Sequence, residues 1–300
     1  IPSTEIRVGA SAEMNKITRA HIREILDSLS KANNTAGSAE QKAGDFYASA
    51  MDTVAIEKAG YDPAKPYLQE IAGITNVKDL LKHVAAQCLL NNFSIINHYV
   101  GADEKNSNYN VATYTQSGLG LPDRDYYFKT DEATLATVNA YRNYIKKLFV
   151  LTGDDSALAE KNMQIVFDLE KQLAASHKTN VDLRDPLSNY HKMAVADLDK
   201  KMPVIGWTSF LQSTAIKADS VNIAQPAYYE KLNALLTTTP IDNWKIYLRF
   251  HLLSSVAPLL SNPFVMAHFD YAEKALSGRQ KIKERWERMA DLTNDNLGDA

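Results

Sequence analysis

The chain has 300 residues, of which 45% are hydrophobic and 23% charged, as in an ordinary globular protein with one large or two modest domains. Its formal net charge of -3 and the lack of a clustered basic segment argue against a nucleic-acid partner, because neutralising phosphates requires clustered lysine and arginine. No stretch approaches the roughly 20 apolar residues of a membrane helix, so no membrane segment is predicted.

Apolar residues at helical spacing predict a first helix that ends at the polar residues 33–37. Its apolar positions are Met14, Ile17, Ile22, Ile25, Leu26 and Leu29. Ser38 followed by Gln41 resembles a capping box and begins a second helix, which Gly60 closes. A further helix begins near Asn76. Its expected buried residues are Leu80, Leu81, Val84 and Leu89.

The pattern changes between residues 93 and 114, where β-branched and aromatic residues predict two strands. The strands are expected over residues 93–100 and 109–114, and the polar residues 101–108 between them predict a hairpin with a long loop. Helical periodicity then returns. It predicts helices over about residues 130–153, 155–176, 190–201, 207–213, 227–236, 241–260 and 262–290. The predicted fold class is therefore mainly α, a multi-helix lobe with one small β-hairpin.

Catalytic constellations are lacking in the sequence. A helical zinc peptidase site needs two imidazoles at positions i and i+4 with a glutamate beside the first. The seven histidines contain no such pair. They are His21, His83, His98, His177, His191, His251 and His268. No catalytic or metal-ligating residue is predicted in this chain, and a site assembled from distant histidines stays open as an alternative.

Cys88 is the only cysteine, so no intrachain disulfide can form. It lies in the apolar run 84–90 and is expected to be a buried, inert thiol. The glycine pair Gly118 and Gly120 lacks the third glycine of a phosphate-binding loop.

Residues 118–128, with the sequence GLGLPDRDYYF, resemble a signature of the neprilysin-like zinc metallopeptidases, which include neprilysin, endothelin-converting enzymes and bacterial oligopeptidases. Other segments resemble the family in the same order and at similar spacing. They are residues 44–52, 101–107, 184–186, 190–193, 226–229, 247–250 and 285–300. The resemblance is to the N-terminal half of the family and spans essentially the whole chain.

The resemblance implies that residues 1–300 are the mostly helical, non-catalytic cap region of a two-lobed enzyme, with residues 1–30 bordering the catalytic cleft. The intact protein would be a zinc metalloendopeptidase that hydrolyses oligopeptides inside an enclosed chamber. Its partners would be those substrates and the C-terminal catalytic half of the same protein. That half would bind Zn²⁺ through His-Glu-x-x-His and Glu-x-x-x-Asp motifs, so this chain alone should be inactive.

One substrate-binding residue is implied within the chain. Residues 1–9 resemble the family segment whose arginine binds the terminal carboxylate of the substrate, and the matching position is Arg7. A planar guanidinium can hold a carboxylate through two parallel hydrogen bonds. A surface arginine or a salt bridge at a helix start is the alternative. Ala12 and Asn15 replace a charged pair of neprilysin, which favours a looser endopeptidase pocket.

The signature residues Asp123, Arg124 and Asp125 are expected to fix a turn through ion pairs and backbone bonds rather than to act in catalysis. Neighbouring aromatic residues are expected to pack in the core or against the other lobe rather than to form a substrate platform. They are Tyr126, Tyr127, Phe128, Tyr228 and Tyr229.

Two further expectations concern the whole protein. Because the first residue is Ile1 rather than methionine, the chain is expected to begin inside a longer gene product. An exported, periplasmic or cell-surface location is expected, with the cytoplasm as the alternative. A free-standing helical binding module derived from the same family is the competing functional hypothesis.

Overall fold

The computed structural model describes residues 3–5, 9–92 and 94–297. Within them lie thirteen α-helices: α1 Ala10–Leu29, α2 Ala39–Met51, α3 Thr53–Ala59, α4 Lys65–Ala72, α5 Val77–Cys88, α6 Glu132–Leu151, α7 Ser156–Ala174, α8 Val195–Lys201, α9 Trp207–Ser213, α10 Pro226–Thr238, α11 Ile241–Val256, α12 Asn262–His268 and α13 Arg285–Leu297. Four strands accompany them: β1 Asn97–Asp103, β2 Asn106–Thr115, β3 Lys192–Ala194 and β4 Ser220–Ile223. The mainly α fold class is confirmed.

The chain forms two compact units. The first unit combines two distant segments, Ile1–Pro63 and Val256–Ala300, whereas the second is the continuous stretch Ala64–Ser255. No single helix of the described residues is long and apolar enough to cross a bilayer, although the bent pair Ile241–Leu259 and Asn262–Ala275 meets the length and composition requirement jointly.

The core of the first unit lies where α1, α2 and α13 meet. Leu26, Tyr47, Met289 and Ala290 are buried there. Arg19 on α1 supports this contact through a hydrogen bond of 2.7 Å from its Nε to Oδ1 of Asp291. The two segments of the unit are therefore joined by apolar packing and by charge.

Much of α1 is nevertheless uncovered. Leu26 is its one buried residue among those described. Met14, Ile17 and Ile25 are 63%, 46% and 58% exposed. The helical spacing predicted from these residues is correct, but half of its six apolar positions are exposed within the described chain.

The helix start predicted at Ser38 is confirmed, because its side chain accepts a hydrogen bond from the backbone N of Gln41. The Gln41 side chain accepts in return from Gly37 N, one residue before the position of a standard capping box. The predicted single helix up to Gly60 is divided, since Asp52 ends α2 and caps α3 by accepting a bond from Ala55 N at 3.0 Å. The helix predicted to begin near Asn76 is confirmed as α5, with Cys88 buried as expected. Leu89 was wrongly expected to be buried: it follows the last helical residue and is 58% exposed.

The predicted helix over residues 262–290 is also wrong in its middle. After α12 the chain continues as a π-helix, Phe269–Ala275, and α13 starts at Arg285. Gly278 adopts a φ of 75°, a left-handed conformation that ends the helical path. Arg279 N still donates back to the carbonyl of Glu273, and the N–H groups of Gln280 and Lys281 then donate to the carbonyl of Ser3 instead of continuing a helix.

In the second unit the sheet has the strand order β1-β2-β4-β3. Strands β1 and β2 are antiparallel, β2 and β4 parallel, and β3 and β4 antiparallel. Aromatic side chains pack beside it, with the rings of Tyr114 and Trp207 5.0 Å apart. Tyr229 on α10 is fully buried and donates a hydrogen bond to the carbonyl of Thr115 at 2.8 Å, which ties the helix to the end of β2.

The predicted hairpin exists, but its long loop does not. The strands extend to Asp103 and resume at Asn106, which leaves a two-residue turn. Asp103 is 2% exposed and closes the turn by accepting a hydrogen bond from Lys105 N at 3.0 Å. Tyr190 and Lys192 also donate to its carboxylate, at 2.8 and 2.7 Å. Contacts from this distant segment stabilise the end of the strand. The residues around Asp103 are polar, so the sequence alone predicted a loop there.

Strands β3 and β4 were not predicted. Residues 192–194 were assigned to a helix that in fact begins at Val195. The pairing depends on contacts between distant residues: Ile223 N donates to His191 O, and the Asn222 side chain accepts from His191 N at 2.6 Å. Strands of three and four residues are too short to show a periodicity in the sequence, which is why they were missed. The predicted hairpin is therefore one half of a four-stranded sheet rather than an isolated element.

Candidate functional site

The substrate-binding residue expected from the sequence, Arg7, lies outside the described residues. Its neighbour Ser3 is described, and the carbonyl of Ser3 accepts hydrogen bonds from Gln280 N at 3.1 Å and from Lys281 N at 2.9 Å. The prediction for Arg7 therefore stays a prediction.

No group of three or more histidine, cysteine, aspartate or glutamate side chains that could hold a metal ion is found in residues 3–5, 9–92 and 94–297. The described part of the chain thus does not fit the zinc ion that the resemblance implies. Cys88 does not offer a reactive thiolate either, because burial raises its pKa to about 11.

The signature segment 118–128 forms a fixed turn. Asp123 caps a short 3-10 helix, Arg124–Tyr127, by accepting a hydrogen bond from Asp125 N at 2.8 Å. Its second carboxylate oxygen accepts from Asn180 at 3.0 Å. Arg124 donates to the carbonyl of Ala174 at 3.4 Å. These contacts are those of a structural turn, as the sequence indicated.

The aromatic residues of the signature have different environments. Tyr127, Tyr228 and Tyr229 are buried, as expected, whereas Tyr126 is half-buried. Phe128 is 43% exposed, so it does not pack in the core, and packing against the other lobe stays a prediction. It follows the 3-10 helix at the surface, where the Arg124 guanidinium lies 5.4 Å from its ring centre.

Both glycines of the signature are required by close contacts. Gly118 has a φ of 89°, and its carbonyl accepts a hydrogen bond of 2.9 Å from the Tyr247 hydroxyl. A Cβ atom on Gly120 would lie 1.8 Å from the Tyr141 hydroxyl oxygen. The motif therefore allows the chain to pass against two buried tyrosines.

The Tyr141 hydroxyl contacts the carboxyl group of Glu170. This glutamate is 0% exposed, which is rare for an acidic side chain. Tyr127 donates to Oε2 at 2.7 Å. Tyr141 donates to both oxygens, at 2.7 and 2.9 Å. Nε2 of His251 lies 2.9 Å from Oε1. Three side chains from separate segments thus converge on one buried carboxylate.

His251 connects this carboxylate to solvent. Its side chain is 22% exposed, and the ring of Tyr247 packs 4.2 Å from its own ring centre. Within the described chain, the hydrogen bond to Glu170 is the one that this imidazole makes.

A cavity of about 280 Å³ lies beside His251. Uncharged residues line it, and among the described residues none of its lining side chains is a lysine, arginine, aspartate or glutamate. His83 is part of the wall, and burial lowers the pKa of its imidazole. Amide and hydroxyl groups complete the polar lining. They belong to Tyr67, Gln87, Asn92, Ser94, Ser254 and Ser255.

The sequence analysis missed this site, although one signal was present. Glu170 lies on the buried face of α7, one helical turn from Val166 and from Ala174. A carboxylate in the apolar stripe of a helix requires buried donors. The sequence could not identify those donors, because they come from distant parts of the chain.

Comparisons with known proteins agree on the relatives of this chain. The N-terminal family model described as Peptidase family M13 matches residues 1–300. Endothelin-converting enzyme 1 from Cavia porcellus is 30% identical over 315 residues, which cover 99% of this chain and 41% of that protein. Neprilysin-3 from Drosophila melanogaster is 28% identical and is covered over 40% of its length.

Solved structures give the same result. The zinc metalloprotease Zmp1 of Mycobacterium tuberculosis, in complex with an inhibitor, superposes with a TM-score of 0.93 at 28% identity. The match covers 100% of this chain and 46% of that one. PepO from Lactobacillus rhamnosis shares the fold, with a TM-score of 0.84 at 18% identity.

Proposed function

Because the chain belongs to peptidase family M13 and matches the model of that family's N-terminal region, we propose that it forms the part of a zinc-dependent endopeptidase that encloses the substrate chamber for oligopeptides. The observation that carries this proposal is the family match over residues 1–300. The described residues contribute no metal-binding group, and the chain spans 41% of the length of the endothelin-converting enzyme that it resembles. The catalytic residues would therefore belong to a C-terminal catalytic half of the intact protein.

The zinc ion would polarise the scissile carbonyl and acidify the attacking water. The described residues contain no group of three or more candidate ligands, and the ion would be held by the C-terminal catalytic half that the family resemblance implies. The role of this chain would be to bind and enclose the oligopeptide, with residues 1–30 bordering the cleft. An exported, periplasmic or cell-surface location is part of the proposal, with the cytoplasm as the alternative.

The decisive experiment compares the 300-residue chain with the protein encoded by the continuing reading frame. We expect the longer protein to cleave a fluorogenic oligopeptide, to lose activity with a chelator and to regain it with Zn²⁺. The 300-residue chain should be inactive under the same conditions. A reading frame that stops without a His-Glu-x-x-His motif would instead support the free-standing binding module.

Arg7 is proposed to bind the terminal carboxylate of the substrate in the intact enzyme. Arg7→Ala should raise KM for peptides with a free carboxylate by about tenfold or more, because a charge-assisted hydrogen-bond pair is lost. The same peptides with an amidated end should be unaffected. Arg7→Lys, which keeps the charge but not the planar fork, should have an intermediate effect. Equal losses on both peptide sets would exclude this role.

A further inference from the structure

Strand β1 forms one edge of the four-stranded sheet, and among the described residues it pairs with β2 alone. The opposite edge, β3, is three residues long and carries Lys192. In contrast, β1 has seven residues and contains no lysine, arginine or proline, and its register is irregular only between Ala102 and Asp103. Short length, charge and proline commonly keep an edge strand from pairing with another chain. The edge at β1 lacks this protection.

The hydrogen bonds of β2 show which backbone groups of β1 face outward. The carbonyl of Tyr114 accepts a hydrogen bond of 2.9 Å from Ala224 N, directly after β4, so the backbone of Tyr114 faces β4. Its neighbour Thr113 therefore faces β1, where it pairs with Tyr99. Because successive residues of a strand alternate between the two directions, the N–H and C=O of Val100 point away from the sheet.

The backbone of Ala102 has the same direction, and both residues lie at the surface. Val100 is 58% exposed, and Ala102 is exposed as well. Within the part of the chain that the structure describes, no hydrogen bond reaches the backbone groups of these two residues from outside the sheet. Their two N–H donors and two C=O acceptors are thus available to another strand.

The chemistry of this edge matches an extended peptide backbone, which presents its own N–H and C=O groups at the same two-residue spacing. Residues 97–102 include no lysine, arginine, aspartate or glutamate, so the partner needs no charge. Tyr99 and Val100 are neighbours whose side chains project from opposite faces of β1, and both are more than half exposed. Side chains on either face of an added strand would therefore have an apolar neighbour.

The size of the edge favours a short peptide over a second folded molecule. Residues 98–102 extend over about 17 Å, and a single sheet is about 10 Å thick. A contact confined to this edge covers much less than the roughly 800 Å² per partner of a stable complex between folded proteins. A short peptide needs no larger surface, because its main-chain hydrogen bonds supply the affinity.

We propose that the outer edge of β1 binds an extended, uncharged peptide segment, which adds a fifth strand to the sheet through hydrogen bonds with the backbone of Val100 and Ala102. The ligand is defined by its extended backbone and by apolar or hydroxyl side chains. The proposal rests on the pairing geometry of this chain and is independent of any zinc-dependent activity of a longer protein.

The test compares two isomeric peptides in NMR titrations of the 300-residue chain. Acetyl-Thr-Val-Thr-Val-Thr-amide with N-methyl groups on its second and fourth residues keeps one complete hydrogen-bonding edge and cannot form stacked sheets with itself. The isomer with N-methyl groups on its third and fourth residues has a blocked donor on both edges. We expect the first peptide to bind at least about tenfold more tightly, because the second loses main-chain hydrogen bonds and clashes with the strand.

Amide hydrogen exchange locates the binding. In the free chain the N–H groups of Tyr99 and Gly101, which face β2, should exchange slowly, and that of Val100 should exchange rapidly. The first peptide, at about ten times its Kd, should slow the exchange of the Val100 and Ala102 N–H groups by about tenfold. The second peptide at the same concentration should leave both rates nearly unchanged.

Substitutions at one position separate the backbone from the side chain. Val100→Pro removes the outward N–H and none of the hydrogen bonds to β2, and edge strands tolerate proline where the N–H would face solvent. It should weaken binding of the first peptide by at least about tenfold. Val100→Thr keeps the N–H and the branched shape and should change the affinity by less than about threefold. If Val100→Pro does not fold, the two isomers with the unmodified chain still decide the outcome.

Three results would overturn the proposal. The first is equal affinity of the unmodified chain for the two isomers. The second is rapid exchange of the Val100 N–H in the presence of the first peptide. The third is slow exchange of that group in the free chain, since the edge would then already be paired, either within the chain or with a second copy.

Discussion

A carboxylate removed from water is stable only when donors surround it, and Glu170 meets this condition with two tyrosines and a histidine. These donors connect the signature turn, α6, α7 and α11. The residue thus joins four segments in the interior of the second unit.

Removal of this carboxylate should be strongly destabilising. Glu170→Ala removes the acceptor shared by two buried tyrosines and a half-buried histidine and creates a void, so the free energy of unfolding should fall by about 3–5 kcal/mol. Glu170→Gln keeps the shape and should cost about 1–3 kcal/mol. Urea unfolding followed by circular dichroism measures both. Glu160→Gln, on the same helix but paired with Lys146 at the surface, is the matched control and should leave the transition unchanged. Similar losses at both positions would refute the role of Glu170.

A second prediction concerns the signature glycine at position 120. Gly120→Ala would place a methyl group 1.8 Å from the Tyr141 hydroxyl oxygen, so the turn or the tyrosine must move. We expect a loss of about 1–3 kcal/mol in unfolding free energy, as for other overpacked interiors. Gly73→Ala is the control, since its added carbon would meet no atom closer than 3.4 Å and its φ of -73° suits any residue. A neutral Gly120→Ala would show that the close approach has no structural importance.

At the scale of elements, the hairpin and β3 are linked by Asp103, and this link depends on pH. Hydrogen bonds from Lys192, Lys105 N and Tyr190 lower the pKa of Asp103 from 3.8 to about 2. Between these values the unfolded chain binds more protons than the folded one. The stability from this group is therefore present above about pH 4 and is lost as the pH falls towards about 2.

Asp103→Asn should remove this titration. The free energy of unfolding, measured in urea at several values from about pH 4 to about pH 2, should then fall less steeply than that of the unmodified chain. Asp242→Asn, at an exposed aspartate of α11, should keep the original slope. Parallel curves for Asp103→Asn and the unmodified chain would contradict the assignment.

Local signals in the sequence were sufficient for most helices and for the hairpin. Helices α6 and α7 follow their apolar periodicity, and α2 begins where Ser38 and Gln41 predict a helix start. Long periodic segments carry this information because one face of each is buried. The family resemblance also rests on local evidence, namely short motifs that occur in the same order as in the family.

Features created by distant contacts were missed. Strands β3 and β4 exist through pairing with each other and with β2, and the break before α13 depends on Gly278 and on the carbonyl of Ser3. The buried Glu170 was visible as a polar residue in an apolar stripe, but its hydrogen-bond donors were not. Arg7 lies outside the described residues, so its expected role stays a prediction.

At the scale of the whole molecule, the uncovered face of α1 should promote association. Met14, Ile17 and Ile25 form an exposed apolar surface on one helix, and such surfaces favour contacts between molecules. We expect the 300-residue chain to self-associate with increasing concentration in sedimentation velocity experiments. Replacing Met14 and Ile25 by Glu should reduce this association without loss of helical content. The same change at Leu187, which is 78% exposed in the second unit, is the control. A strictly monomeric chain at all concentrations would contradict this prediction.

The division of the first unit between two ends of the chain has a consequence for biosynthesis. Leu26 and Tyr47 leave the ribosome early but cannot complete their core until Met289 and Ala290 have been translated. The whole of Ala64–Ser255 emerges in the meantime. Vectorial synthesis therefore gives the second unit the opportunity to fold first, while α1 and α2 wait for α13 with their apolar side chains accessible to chaperones.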